Sequence, residues 1–198
     1  MPKLWYATSN PGKVTSLKQQ LEPAGFDIEQ VNMFYPEPRM DLVERMAVFK
    51  AASAFQELKA PVVANDAGFF IRSLKGYPGA NVNFALKTID LDGILRLVHD
   101  TDRSAFFRHA LAYDDGQGNV WAWVDEVHGS VTREIRGVFD PTFHWSKLVL
   151  IFLPDGETKT LGEMPYDEYQ DWSAHRAPRP RCAEQFLVWY ADHRSALV

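Results

Sequence analysis

Among the 198 residues there is a single cysteine, Cys182, so no internal disulfide can form and the fold cannot depend on an oxidising compartment. No apolar run approaches the roughly 18–20 residues that a membrane span requires. Met1 to Tyr6 pass directly into a strand-like stretch without the apolar core of a signal peptide, and a cytoplasmic location with no membrane partner is the expectation. Repeats, low-complexity tracts and flexible linkers are also absent, which excludes solenoids and rods and leaves a single domain over residues 1–198. Basic charge is in deficit, with 21 Lys and Arg against 26 Asp and Glu and a net charge of −5, whereas general binding of a nucleic-acid backbone needs a basic face. What remains is the ordinary mixture of a globular chain, 46% apolar and 24% charged, long enough to bury a sizeable core.

The first half alternates strand and helix patterns. Residues 4–7 read as a short buried strand. Asn10 is a good N-cap and Pro11 suits the first helical position. Val14, Leu17 and Leu21, spaced by three and four, then predict a helix that Pro23 and Gly25 end. A second helix is predicted over residues 41–58, stopped by Pro61, followed by a buried strand over 62–64 that ends at Asn65-Asp66. Further helices are expected over 82–88 and 92–98. From Ser104 strands take over: 105–113 and 120–127 flank a hairpin turn at 114–119, and 131–135 and 147–153 read as two more. Residues 183–195 close the chain as a helix burying Phe186, Trp189 and Tyr190. A βαβ opening followed by hairpins predicts an α/β or α+β protein around a mixed sheet.

Four features carry chemistry. Thr8-Ser9-Asn10-Pro11-Gly12-Lys13 joins a strand to a helix start, where free N–H groups and the positive end of the dipole attract anions such as phosphate. It is not a Walker loop, and the same residues also fit an ordinary capped helix with a surface lysine. Lys50 falls in the apolar arc of its helix with Leu42, Val43, Met46 and Ala47, where an ammonium needs either an anion or a long stem reaching water. Asp66 stands after a buried strand, the end at which open α/β sheets bind ligands, and Glu37 lies between two prolines with no evident structural duty. Two carboxylates converging on a phosphate would hold Mg²⁺, although a solvated loop acid also accounts for Glu37. Last, Ser173 to Arg181 contains Arg176, Arg179 and Arg181 without an acid, a local positive patch able to grip phosphate or stack on a base, or else a solvated linker. The histidines at 99, 109, 128, 144 and 193 show no metal spacing and receive no catalytic role.

The order of these motifs is more specific than any one of them. Thr8-Ser9-Asn10-Pro11-Gly12-Lys13, Pro36-Glu37, Lys50, Ala64-Asn65-Asp66-Ala67-Gly68, Gly76-Tyr77-Pro78-Gly79, Phe139-Asp140-Pro141, Pro154-Asp155-Gly156, Gly162-Glu163-Met164 and Ser173-Ala174-His175-Arg176 form one series. In this the chain resembles the inosine triphosphate pyrophosphatase family from Leu4 to Arg176. The resemblance implies a long twisted mixed β-sheet with flanking helices forming two lobes around a central cleft, in a homodimer. It implies hydrolysis of ITP, dITP or XTP to the monophosphate and pyrophosphate with Mg²⁺, cleansing the nucleotide pool. Carried over by position, Thr8, Ser9, Asn10, Lys13 and Lys50 would contact the triphosphate, with Lys13, Lys50 and Asp66 as the catalytic set. Glu37 and Asp66 would bind the metal. Phe139 and Asp140 would meet the base, and Ser173, His175 and Arg176 its 6-oxo edge.

Departures from the family pattern concentrate in the base half. Asn65 stands where the family has an acid, Ala67 replaces a hydroxyl residue, Tyr169 replaces a lysine, Ala174 interrupts Ser-His-Arg, and residues 144–151 read as an insertion. Three other readings therefore stand beside the first. One keeps the chemistry on a different nucleotide, one is a nucleotide-binding module without turnover, and one is a single-strand binder using residues 176–181, against which the net charge counts.

Overall fold

The computed structural model describes residues 1–33, 40–176 and 180–193. The chain runs through β1 (Lys3–Ala7), α1 (Pro11–Leu21), β2 (Asp27–Val31), α2 (Val43–Leu58), β3 (Val62–Ile71), β4 (Pro78–Gly79), α3 (Val82–Thr88), α4 (Asp90–Leu97), β5 (Ser104–Asp114), β6 (Val120–Val131), β7 (Phe152–Pro154), α5 (Tyr166–His175) and α6 (Cys182–His193). The strands make one seven-stranded sheet in the order β2-β1-β3-β5-β6-β7, with β4 on β3 off that path. It is mixed, since β1 runs parallel to β2 and β3 while β3–β4 and β6–β7 are antiparallel. The expected α/β class with a mixed sheet and flanking helices is what the chain adopts. No helix among the described residues is long and apolar enough to cross a membrane.

Local chemistry sets these elements. The Asn10 side chain accepts from the Lys13 N–H and Pro11 opens α1, as the cap rule requires. α2 begins at Val43, two residues later than expected, and ends at Lys59 in the left-handed conformation. Three expectations about strands need correction. β3 does not end at Asp66 but continues to Ile71, its pairing passing from β1 at Val62 and Val63 to β4 at Phe69 and Phe70. Residues 132–135 are not a strand, because β6 closes at Val131 and the Thr132 hydroxyl turns the chain by donating to the Glu134 carbonyl at 2.7 Å. Residues 147–150 form a 3₁₀ turn whose cap is the Ser146 hydroxyl, leaving only Phe152–Pro154 as strand. Leu148, Val149 and Ile151 are all buried, and a continuous apolar run does not distinguish a buried turn from a strand.

The chain divides into two compact units. The first comprises Met1–Ala67, His109–Asp125 and Pro180–Val198, and the second Gly68–Arg108 and Glu126–Arg179. The first unit's core gathers Leu4, Tyr6, Leu17, Phe26, Ile28, Val63, Leu111 and Phe186. The second's is centred on Phe69, Phe107, Ile94, Val127 and Phe152. Within the second unit Arg103 ties the end of α4 to the end of β6, donating from Nε to Val131 O at 2.7 Å, from Nη1 to Val98 O at 2.9 Å and from Nη2 to Thr132 O.

One core group is held at a cost. Asp114 is fully buried at the start of the β5–β6 turn; Oδ1 accepts from the Gly116 and Gly118 N–H groups, while Oδ2 finds no partner among the described residues. Burial raises its pKa against the two backbone bonds, so the folded state binds this proton more readily than the unfolded chain. Stability from this site is thus present in acid and lost as pH rises through the raised value. Asp114→Asn keeps the acceptor and removes the charge, and is expected to stabilise the fold at neutral pH by about 1 kcal/mol. Thermal denaturation should show the gain shrinking as pH falls through the raised value and gone below the ordinary carboxylate range; a gain independent of pH would refute this account.

Candidate functional site

In the first unit the phosphate candidates lie around the ends of β1 and the middle of β3. β1 pairs with β3 at Trp5↔Val62 and Tyr6↔Val63 and finishes at Ala7, so its turn to α1 starts beside the Ala64-Asn65-Asp66 stretch. Within that turn the Thr8 hydroxyl oxygen accepts from the Asn10 N–H at 3.2 Å, and Asn10 Oδ1 from the Lys13 N–H at 3.2 Å. Pro11 has no N–H to offer and that of Lys13 is spent on the cap, so the positive charge at this helix start resides chiefly in the half-buried Lys13 side chain. Ser9 is exposed in the same turn.

Lys50 reaches Asp66. Its Nζ donates to Asp66 Oδ1 at 2.8 Å, with the side chains 15% and 12% exposed. An ammonium centred on an apolar helix stripe costs desolvation unless an anion meets it, and this carboxylate is that anion. Of the two alternatives open for Lys50, the anion is present. The bond uses Oδ1, which leaves Oδ2 as the oxygen available to a water or a cation.

Asp66 offers a hard divalent cation one carboxylate oxygen, Oδ2. Asn65 Oδ1 is buried with no hydrogen-bond partner among the described residues, but consecutive strand residues face opposite sides of the sheet, so it does not add to that oxygen. Oxygen-only donors, few in number, are the set that Mg²⁺ takes while keeping its waters. Glu37 lies outside the described residues. Among those described, no three His, Cys, Asp or Glu side chains are grouped to hold a metal. Asn65 and Glu44, whose Oε2 is likewise buried and unpartnered, were not singled out as candidates. A helical wheel sets Glu44 on the polar face of α2, and only the packed structure reveals that burial.

The base candidates all fall in the second unit. Phe139 and Asp140 follow Gly137, whose positive φ of 83° and close approach to Gly162 admit no side chain: a Cβ there would meet the Gly162 carbonyl oxygen at 2.1 Å. Val138 N donates to Gly162 O at 2.8 Å, fixing the approach to Phe139. The Asp140 carboxylate accepts from the Thr142 hydroxyl at 2.6 Å and N–H at 2.9 Å, and these bonds lower its pKa. Ser173 and His175 belong to the last turn of α5, where His175 is exposed and its Nδ1 lies 2.9 Å from Asp171 O and 3.1 Å from its carboxylate. Arg176 caps α5, its N–H donating to Trp172 O at 2.7 Å. Tyr169, 8% exposed, is part of the core, and burial pushes its hydroxyl up to about 12. Arg179 lies outside the described residues, and Arg181 pairs with Glu184 at 3.0 Å rather than adding to a free positive patch.

Relatives of known type place this arrangement. The chain is 33% identical to a dITP/XTP pyrophosphatase of Thermococcus kodakarensis over 196 residues, covering 96% of this chain and 98% of that protein. It is 31% identical to one of Methanopyrus kandleri, covering 96% and 97%. A crystal structure of a nucleoside-triphosphatase, dITP/XTP pyrophosphatase, from Mycobacterium abscessus superposes with a TM-score of 0.70 at 25% identity, covering 88% of this chain and 94% of that one. A HAM1 protein from Coxiella burnetii shares the fold with a TM-score of 0.77 at 20% identity, covering 97% and 100%. The Ham1 family model matches residues 4–185. The motif series read from Leu4 onward and the order of strands thus converge, and the chain belongs to the Ham1 family.

Proposed function

We propose that this protein hydrolyses non-standard purine nucleoside triphosphates (ITP, dITP and XTP) to the monophosphate and pyrophosphate, as a single Mg²⁺-dependent domain acting as a homodimer in the cytoplasm. The relatives' activity supports the reaction. The observation that carries it in this chain is the buried Lys50–Asp66 pair beside the β1–α1 turn. A water oxygen attacks the α-phosphorus, its proton passes to the Asp66 carboxylate, and the bond to the bridging oxygen breaks with its electron pair leaving on pyrophosphate. Lys13 and Lys50 offset the charge that grows on the leaving group, which is the main demand of phosphoryl chemistry. Thr8, Ser9 and Asn10 orient the phosphates. Asp66 with Glu37 would hold the cation, which when bound neutralises polyphosphate charge and orients the water. Phe139 stacks on the base, and Asp140, Ser173, His175 and Arg176 face its edge, a polar recognition that rejects a 6-amino purine more sharply than shape alone.

The burial of Tyr169 in the core favours a second reading, the same reaction on another base, because a side chain of the base half is here spent on packing. A panel of nucleoside triphosphates assayed for pyrophosphate release decides between them. ITP or XTP is expected to exceed ATP and the pyrimidines in kcat/KM by at least about a hundredfold. An advantage for ATP or a pyrimidine would select the second reading.

A further inference from the structure

A buried imidazole outside the assigned residues closes the turn that carries Phe139 and Asp140. His144 is 2% exposed. Its backbone N–H donates to the Asp140 carbonyl at 2.8 Å, and its Nδ1 accepts from the Asp140 N–H at 3.1 Å, so the two residues are joined in both directions across Pro141, Thr142 and Phe143. A ring nitrogen that accepts from an amide bears no proton, so the neutral ring carries its proton on Nε2. Nε2 is buried without a hydrogen-bond partner among the described residues, so the ring gives up one bond to make the other. Phe139 stacks on it at 6.0 Å and 26°, Phe143 leans on it at 4.1 Å, and Tyr169 from α5 meets it edge-on at 5.2 Å.

We propose that His144 is a positioning residue for base recognition, its neutral ring clasping the Asp140 backbone and backing the Phe139 ring so that both meet the purine in one fixed geometry. This rests on the assignment of Phe139 and Asp140 to the base made above. A turn already ordered before binding loses less conformational entropy when substrate arrives, so the clasp acts on KM more than on kcat. The charged and titratable groups around it are Asp140 on its own turn and Tyr169 on α5, with Arg176 beside that hydroxyl, while Leu161 of the 3₁₀ turn 161–163 supplies a carbonyl. Burial lowers the His144 pKa, with the Leu161 carbonyl and Asp140 opposing. The clasp is therefore intact above the folded value and lost as pH falls through it, when a proton on Nδ1 would face the Asp140 N–H.

Steady-state kinetics on ITP and UTP, for the wild type, His144→Asn and His144→Gln between about pH 5 and 8, test this. Asparagine sets an oxygen near the Nδ1 position, whereas glutamine sets its polar group near Nε2. His144→Gln is expected to raise KM for ITP about tenfold with kcat within about twofold, and to lower the preference for ITP over UTP to match. His144→Asn should keep KM close to the wild type at neutral pH and lose the rise in KM that the wild type shows in acid. An acid rise in KM that persists in His144→Asn overturns the proposal. Equal losses in the two variants overturn it as well, since ring volume would then be the cause. Should His144→Gln fail to fold, the acid limb of His144→Asn alone decides. A wild type with no preference for ITP removes the base assignment itself, whereas a preference that His144→Gln retains removes only the role of His144.

Discussion

Asp66→Asn is expected to lower kcat for pyrophosphate release by about 10²–10⁴-fold while the protein stays folded and still binds nucleotide. The carboxamide cannot take the water's proton and offers a cation no charge. It can still accept from Lys50, whose side chain is 15% exposed and whose ammonium would otherwise be left facing an apolar stripe, so the helix-to-strand contact is kept. Rate measurement on ITP, with circular dichroism to confirm the fold and calorimetry to confirm binding, separates chemistry from structure. A kcat within about tenfold of the wild type would sink the assignment of Asp66 as the proton acceptor. A wild type that binds ITP and releases no pyrophosphate would instead identify a binding module.

The largest loss of stability should come from Asp125→Ala, far from the reaction in chain position. Asp125 is 6% exposed on β6 and accepts three hydrogen bonds, from the Cys182 N–H at 2.8 Å, the Cys182 thiol at 2.9 Å and His109 Nδ1 at 3.2 Å. The first comes from the opening residue of α6, where a carboxylate also meets the positive end of the helix dipole. That helix buries Ala183 and Phe186 in the core of the first unit, so the anchor decides how the closing segment docks. Alanine removes the acceptor of the buried Cys182 N–H and the nearer of the thiol's two acceptors, leaving it the His109 carbonyl at 3.4 Å, and takes the carboxylate from the partly exposed His109 ring, at a cost of about 3 kcal/mol. For a chain of this length the midpoint of thermal denaturation should fall by roughly 10 °C, measured by circular dichroism. A fall of less than about 2 °C would show that water or a shifted side chain replaces the anchor. The same bonds explain why the lone cysteine has no chemistry assigned: its thiol is buried and donates to a carboxylate, which disfavours the reactive thiolate.

Much of the fold was legible because it is written in local signals. Asn10 and Pro11 set the start of α1, and the spacing of Val14, Leu17 and Leu21 sets its buried side. Asp115 in the 114–119 turn accepts from the Gln117 and Asn119 N–H groups, the side-chain turn chemistry that a hairpin needs. The errors have a common origin. Residues 62–71 carry a polar pair and two small residues in mid-strand, which read as an end, yet β3 continues because pairing to another strand, not composition, extends it. Residues 148–153 are apolar throughout, so periodicity could not separate a 3₁₀ turn from a strand.

The sequence by itself determined the family, the mixed sheet, and the residue types able to meet a polyphosphate, since motif order and helix caps are properties of neighbours in the chain. Only the tertiary structure decided that Lys50 ends on Asp66, that Asn65 Oδ1 is buried without a partner among the described residues, that Tyr169 is spent on packing and that His144 holds the Asp140 turn. The physical reason is that a hydrogen bond or an ion pair depends on distance and exclusion of water. Neither quantity exists for a residue until the elements carrying both partners have been packed together.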